Sequence, residues 1–105
     1  MKVYFKHWGC VAKGSHYMSN NNKSISLIDK EDGGPVATAT TNLVEETIPT
    51  DVVFIKDYSE NEGMAESLIK AGIIEPEVVS TVGQTFVKIN AYKLTARALK
   101  KLWEE

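Results

Sequence analysis

The residues best equipped for chemistry crowd into one short run, Asp57-Tyr58-Ser59-Glu60-Asn61-Glu62-Gly63. Paired carboxylates can exchange protons, but a hydrolase needs two of them facing each other across a cleft at a defined separation. Here the acids are sequence neighbours. An EF-hand would alternate its acids and place a glutamate at position 12 of the loop, and this spacing does not. The run follows an apolar stretch and precedes a helical pattern, so the amides of a helix start could face an anion. The local acids oppose an anion and suit a cation better. A structural use competes with all of these. Ser59 and Glu62 fit a capping box, in which each side chain bonds the other's amide, and Asp57 would order the turn.

Cys10, His7 and His16 are the other reactive types. A thiol needs an activating base, but Cys10 sits in a strand-like stretch, where a small buried thiol is the usual outcome. His7 shares a strand face with Val3 and Phe5. These three residues also fall short of the four ligands of a structural zinc site. No metal and no cofactor are expected.

A third group is basic. Lys93, Arg97, Lys100 and Lys101 are spaced to share one stripe if Lys93 is near-helical, and such a stripe could touch phosphates. Trp8, Tyr17 and Phe86 could stack on bases, yet nothing in the sequence links them to the stripe. No helix-turn-helix, RNP or KH signature accompanies it.

Charge is unevenly distributed along the 105 residues. Residues 1–44 hold five lysines against three acids, residues 45–79 hold nine acids against two lysines, and residues 80–105 hold five basic residues against two acids. An acidic centre between basic ends implies internal pairing first and a polarised surface second. With 43% hydrophobic residues one core is feasible. A lone cysteine excludes an intramolecular disulfide. No apolar run approaches the roughly 20 residues of a membrane span, and the N-terminus turns polar too soon for a signal peptide. The cytoplasm is the expected location.

The elements that would position these residues read as follows. Val3 to Trp8 alternates as a strand, Gly9 interrupts it, and the chain resumes at Cys10-Val11-Ala12 before a turn at Lys13-Gly14-Ser15. Ser19 to Asn22 is an exposed loop tip. Ser24–Ile28 and Pro35–Asn42 form an antiparallel hairpin around Asp32-Gly33. Asp51–Lys56 reads as a buried strand, a short apolar run bounded by charges. Met64, Ala65, Leu68 and Ile69 give the first helix its apolar face, which ends at Gly72 as the C′ residue. Glu77–Val82 and Thr85–Tyr92 are two further strands, with Val87, Ile89 and Ala91 on one side. Thr95 caps a last helix running to about Trp103, with Leu94 and Leu99 as a hydrophobic staple. The sum is one domain over residues 1–105, of α+β class. It has an antiparallel or mixed sheet of about five strands and two helices packed on one face.

Two stretches carry a resemblance. One runs from Leu27 through Asp29, Gly33, Pro35 and Ala37 to Thr40. The other is Val53-Phe54-Ile55-Lys56-Asp57-Tyr58-Ser59-Glu60-Asn61-Glu62-Gly63-Met64, continuing to Leu68 and Ile74. Together they resemble a family of small proteins from phages, plasmids and conjugative elements of gut-type bacteria, a family without an assigned activity. The resemblance covers about the middle half of the chain. It implies a bacterial or phage accessory protein and carries over no catalytic residue.

The leading expectation is therefore a non-enzymatic module that contacts another protein. Its contact face would be the acidic band of Glu45, Glu46, Asp57, Tyr58, Glu60, Glu62 and Glu66, which could mimic nucleic-acid charge toward a basic partner. Two alternatives stand beside it: a nucleic-acid binder using Lys93, Arg97, Lys100 and Lys101, and a small enzyme or ligand binder with a site near Asp57 and Tyr58. Oligomeric state is open, because an exposed strand edge can pair two copies and strand order decides which edge is exposed.

Overall fold

The computed structural model describes residues 1–84 and 86–104. Thr85, the first residue of the expected final strand, lies outside the described residues. The strands are β1 (Lys2–Phe5), β2 (Trp8–His16), β3 (Lys23–Asp29), β4 (Pro35–Thr38), β5 (Thr40–Thr41), β6 (Val52–Ile55), β7 (Ile74–Gln84) and β8 (Val87–Leu94). The helices are α1 (Met64–Lys70) and α2 (Ala96–Leu102). The α+β class and the antiparallel pairing are those expected. The division of strands differs: instead of about five strands in one sheet there are two four-stranded sheets, ordered β1-β2-β3-β4 and β5-β6-β8-β7.

Ala39 is where the chain changes sheet. Its N–H donates to the Ile25 carbonyl of the first sheet at 2.8 Å, and its own carbonyl accepts from Lys56 N, beside β6 in the second, at 2.8 Å. The expected return strand Pro35–Asn42 is thus one extended segment split into β4 and β5. Fully buried Ala39 is small enough to sit where the two sheets meet.

The main core lies between the sheets and both helices. Val3, Phe5, Cys10, Ile25 and Leu27 come from the first sheet, Val53, Ile55 and Leu94 from the second, and Met64, Leu68 and Ala98 from the helices. Both helices therefore cover one core, as expected. A smaller cluster of Val52, Phe54, Ile89 and Ala91 occupies the other face of the second sheet, covered by Leu43, Ile48 and Tyr58. β6 is consequently buried on both faces, which explains its unbroken apolar run.

Several local expectations hold. Thr95 Oγ1 accepts from Ala98 N at 3.0 Å and caps α2. α1 closes with Gly72 at φ +76°: Gly72 N donates to Ile69 O and Ile73 N to Leu68 O, both at 3.0 Å, the paired bonds of a Schellman motif. Others change. β1 stops at Phe5, and Lys6 and His7 form a tight hairpin turn, with Phe5 opposite Trp8 and Lys6 at φ +56°. His7 is thus exposed on the turn and shares no face with Val3 and Phe5. Gly9 and Gly14 both lie within β2. At Gly14 a Cβ would stand 2.6 Å from the Leu102 carbonyl oxygen, so the end of α2 rests directly on backbone there.

Candidate functional site

The strand-to-helix junction is built differently from a capping box. Ser59–Asn61 is a single 3-10 turn, with Ser59 itself at φ +56°, and α1 starts only at Met64, behind Gly63 at φ +92°. The cap comes from Asp57: its Oδ1 accepts from Gly63 N at 2.7 Å and from Met64 N at 2.9 Å. Buried Asn61 donates through Nδ2 to the Thr38 carbonyl at 2.7 Å and ties the turn to β4. Lys56 Nζ meets Glu60 Oε1 at 2.7 Å, and Lys6 Nζ donates to the Glu60 backbone carbonyl at 2.8 Å. The hydrogen bond from Lys56, with help from Glu60's own backbone and from Ser59, holds the Glu60 carboxyl down at about 2. The same bond to Glu60 raises Lys56.

Nearly every residue of this motif is therefore engaged in holding the chain's own turn. Asp57 is occupied by two amides. Tyr58 packs on the second cluster beneath Lys56, whose Nζ lies 5.8 Å from the ring centroid. Glu66 pairs with Lys70 at 3.1 Å. Glu62 and Glu66 share an open hollow of about 380 Å³ with Tyr4, Lys6 and Lys70, so lysines interleave with the acids. Glu45 and Glu46 belong elsewhere, in a hollow with Val44 and Gln84 at the end of β7. The acidic band expected from the sequence is two separate groups, one of them largely neutralised by its neighbours.

The basic stripe also divides. Lys93 is a strand residue of β8, opposite Val52, 3.9 Å from the Asp51 carboxylate. It is not near-helical, because Thr95 is the cap and the helix begins after it. Arg97, Lys100 and Lys101 do share the outer side of α2, all exposed. Cys10 is buried, and burial followed by the charge of Asp29 raises its thiol above the ordinary range, the opposite of an activated nucleophile. Among the described residues no group of three or more His, Cys, Asp or Glu is placed to hold a metal, and no helix is long and apolar enough to cross a membrane.

The feature that sequence reading missed is β7. It is an edge strand of the second sheet, and all seven residues from Glu75 to Thr81 are exposed. Val78 and Val79 are 47% and 54% exposed, and Phe86, just before β8, is 95% exposed. The residues Glu77–Val82 are readable as a strand; its lack of cover follows only from strand order. Comparison with known protein families, with curated proteins and with solved structures finds no match.

Proposed function

We propose that this chain is a non-enzymatic protein-interaction module whose contact surface is the open edge of β7, to which a partner adds an extended segment as a further strand. The observation that carries this reading is the exposure of both faces of β7 from Glu75 to Thr81. An unpaired edge offers a row of backbone donors and acceptors, and strand addition uses such a row for affinity and flanking side chains for selectivity. The N-terminal half of β7 carries the usual guards against indiscriminate pairing: Glu75, Pro76, Glu77 and the register shifts around Val78 and Ser80. The half from Ser80 to Gln84 carries no charge and keeps regular register with β8.

Acids flank this neutral segment, with Glu75 and Glu77 at one end and Glu45 and Glu46 beside Gln84 at the other. The fitting partner segment is apolar or neutral in the middle and basic toward its ends. Glu45 and Glu46 thus remain in the contact surface, while Asp57, Tyr58, Glu60, Glu62 and Glu66 leave it. The resemblance to phage and plasmid proteins adds the setting: a cytoplasmic accessory protein of a mobile element acting on a basic host protein.

Capture from nuclease-treated bacterial lysate tests the assignment. Three baits are compared: the wild type, an edge variant (V79K/S80K) and a junction variant (E60K/E62K/E66K). Val79 and Ser80 are exposed, and lysines there block edge pairing. The expected result is one protein enriched by the wild type and the junction variant and lost by the edge variant. Loss with the junction variant and retention by the edge variant would return the contact to the acidic junction.

A further inference from the structure

Helix α2 turns Ala98, Leu99 and Leu102 toward the core and leaves Arg97, Lys100 and Lys101 on its outer side. Its last turn is fastened to β2 in two ways. The Leu102 carbonyl rests on Gly14, and Trp103 Nε1 donates to the Ser15 carbonyl at 2.9 Å. Ala12 N donates to the Met1 carbonyl at 2.8 Å, which sets the first residue beside Lys13. These contacts gather cations from separate elements around one place. The Met1 amino group is lowered by burial and then by the charges of Lys101, Lys13 and Arg97. Lys23 extends the group past the helix end, with its Nζ 5.8 Å from the Trp103 ring centroid. Among the described residues, none of Lys13, Arg97, Lys100 and Lys101 has a carboxylate within ion-pair distance, in contrast to Lys56, Lys70 and Lys93.

We propose that the outer side of α2 together with Lys13 of β2 binds the phosphate backbone of a nucleic acid. Like charges held together with no ion-paired carboxylate among the described residues repel, and a polyphosphate relieves that repulsion while releasing its own condensed counterions. An exposed row of long side chains suits evenly spaced phosphates. An acidic protein would instead need carboxylates matched to these positions. Trp103 is half-buried, with its N–H committed to Ser15 and Lys23 Nζ 5.8 Å from its ring centroid. The contact is with backbone and is independent of base sequence. This surface shares no residue with the β7 edge, so either proposal can fail alone.

The test is fluorescence anisotropy of a short labelled DNA duplex titrated with the full chain across a salt series. Four phosphate contacts predict a slope of about −3.6 in log K against log salt, hence about a hundredfold loss of affinity between about 50 and about 200 mM. The K13E/R97E/K101E variant should bind at least about tenfold more weakly with a flattened slope. Should that variant melt early, K13Q/R97Q/K101Q, which adds no new charge, replaces it with the same expectation. The proposal is overturned by absence of binding at low salt, by binding insensitive to salt or to these substitutions, or by displacement of the DNA by polyglutamate of equal charge. That last result would identify an acidic protein as the ligand.

Discussion

Asp57 caps a helix whose first residue, Met64, lies seven positions later in the chain: one carboxylate oxygen accepts both the Gly63 and the Met64 amides. The intervening 3-10 turn brings those amides back to the end of β6. Two otherwise unpaired helix-start donors are satisfied by one side chain.

Replacing Asp57 by Ala should therefore lower stability by about 1–2 kcal/mol. Ser59→Ala, removing a hydroxyl that does not cap α1, should cost less than half of that. Urea unfolding midpoints of the two variants check the order. A larger loss for the Ser59 variant would mean that a capping box forms after all.

The Lys56–Glu60 pair sets a pH dependence. The folded-state Glu60 carboxyl lies at about 2, below its ordinary 4.5. A depressed acid contributes stability that is present above its unfolded value and is lost as pH falls through the folded one. The window is thus from about pH 4.5 down to about 2. Both partners reach solvent, so the effect is modest and shrinks with salt. In Glu60→Gln the midpoint should fall less steeply than in the wild type across that window. Parallel profiles for the two proteins would contradict the pairing.

Gly14 is fixed by close approach. Ala at this position sets a Cβ against the Leu102 carbonyl oxygen and the Trp103 ring, so the end of α2 must shift, at a cost of about 1–3 kcal/mol. In a Trp8→Phe background, which leaves Trp103 as the sole tryptophan, Gly14→Ala should shift emission to the red as the indole moves off Ser15. Unchanged emission with unchanged stability would place the helix end elsewhere.

How far the chain could be read from its residues depended on the range of the interaction. The Thr95 cap, the Gly72 closure and the Asp32-Gly33 hairpin are short-range devices, and each is where its residues place it. The division into two sheets rests on bonds from Ala39 to Ile25 and Lys56, partners far apart in the chain that no local pattern marks. The capping-box reading failed because Ser59 adopts a positive φ and Asp57 reaches the helix first. The acidic band is divided in the fold, which interleaves Lys6, Lys56 and Lys70 with the junction acids and sets Glu45 and Glu46 beside Gln84 instead. The motif behind the family resemblance is accounted for almost residue by residue as a folding device: Ile55 in the core, Lys56 on Glu60, Asp57 as cap, Asn61 as anchor and Gly63 in the left-handed region.

The most direct test of the β7 edge as the contact surface is amide hydrogen exchange of the chain alone and with its captured partner. Strand addition predicts new protection concentrated at residues 78–84, with little change at residues 57–66 in the capped junction. Protection of the junction, with the β7 amides exchanging as freely as in the isolated chain, would contradict it.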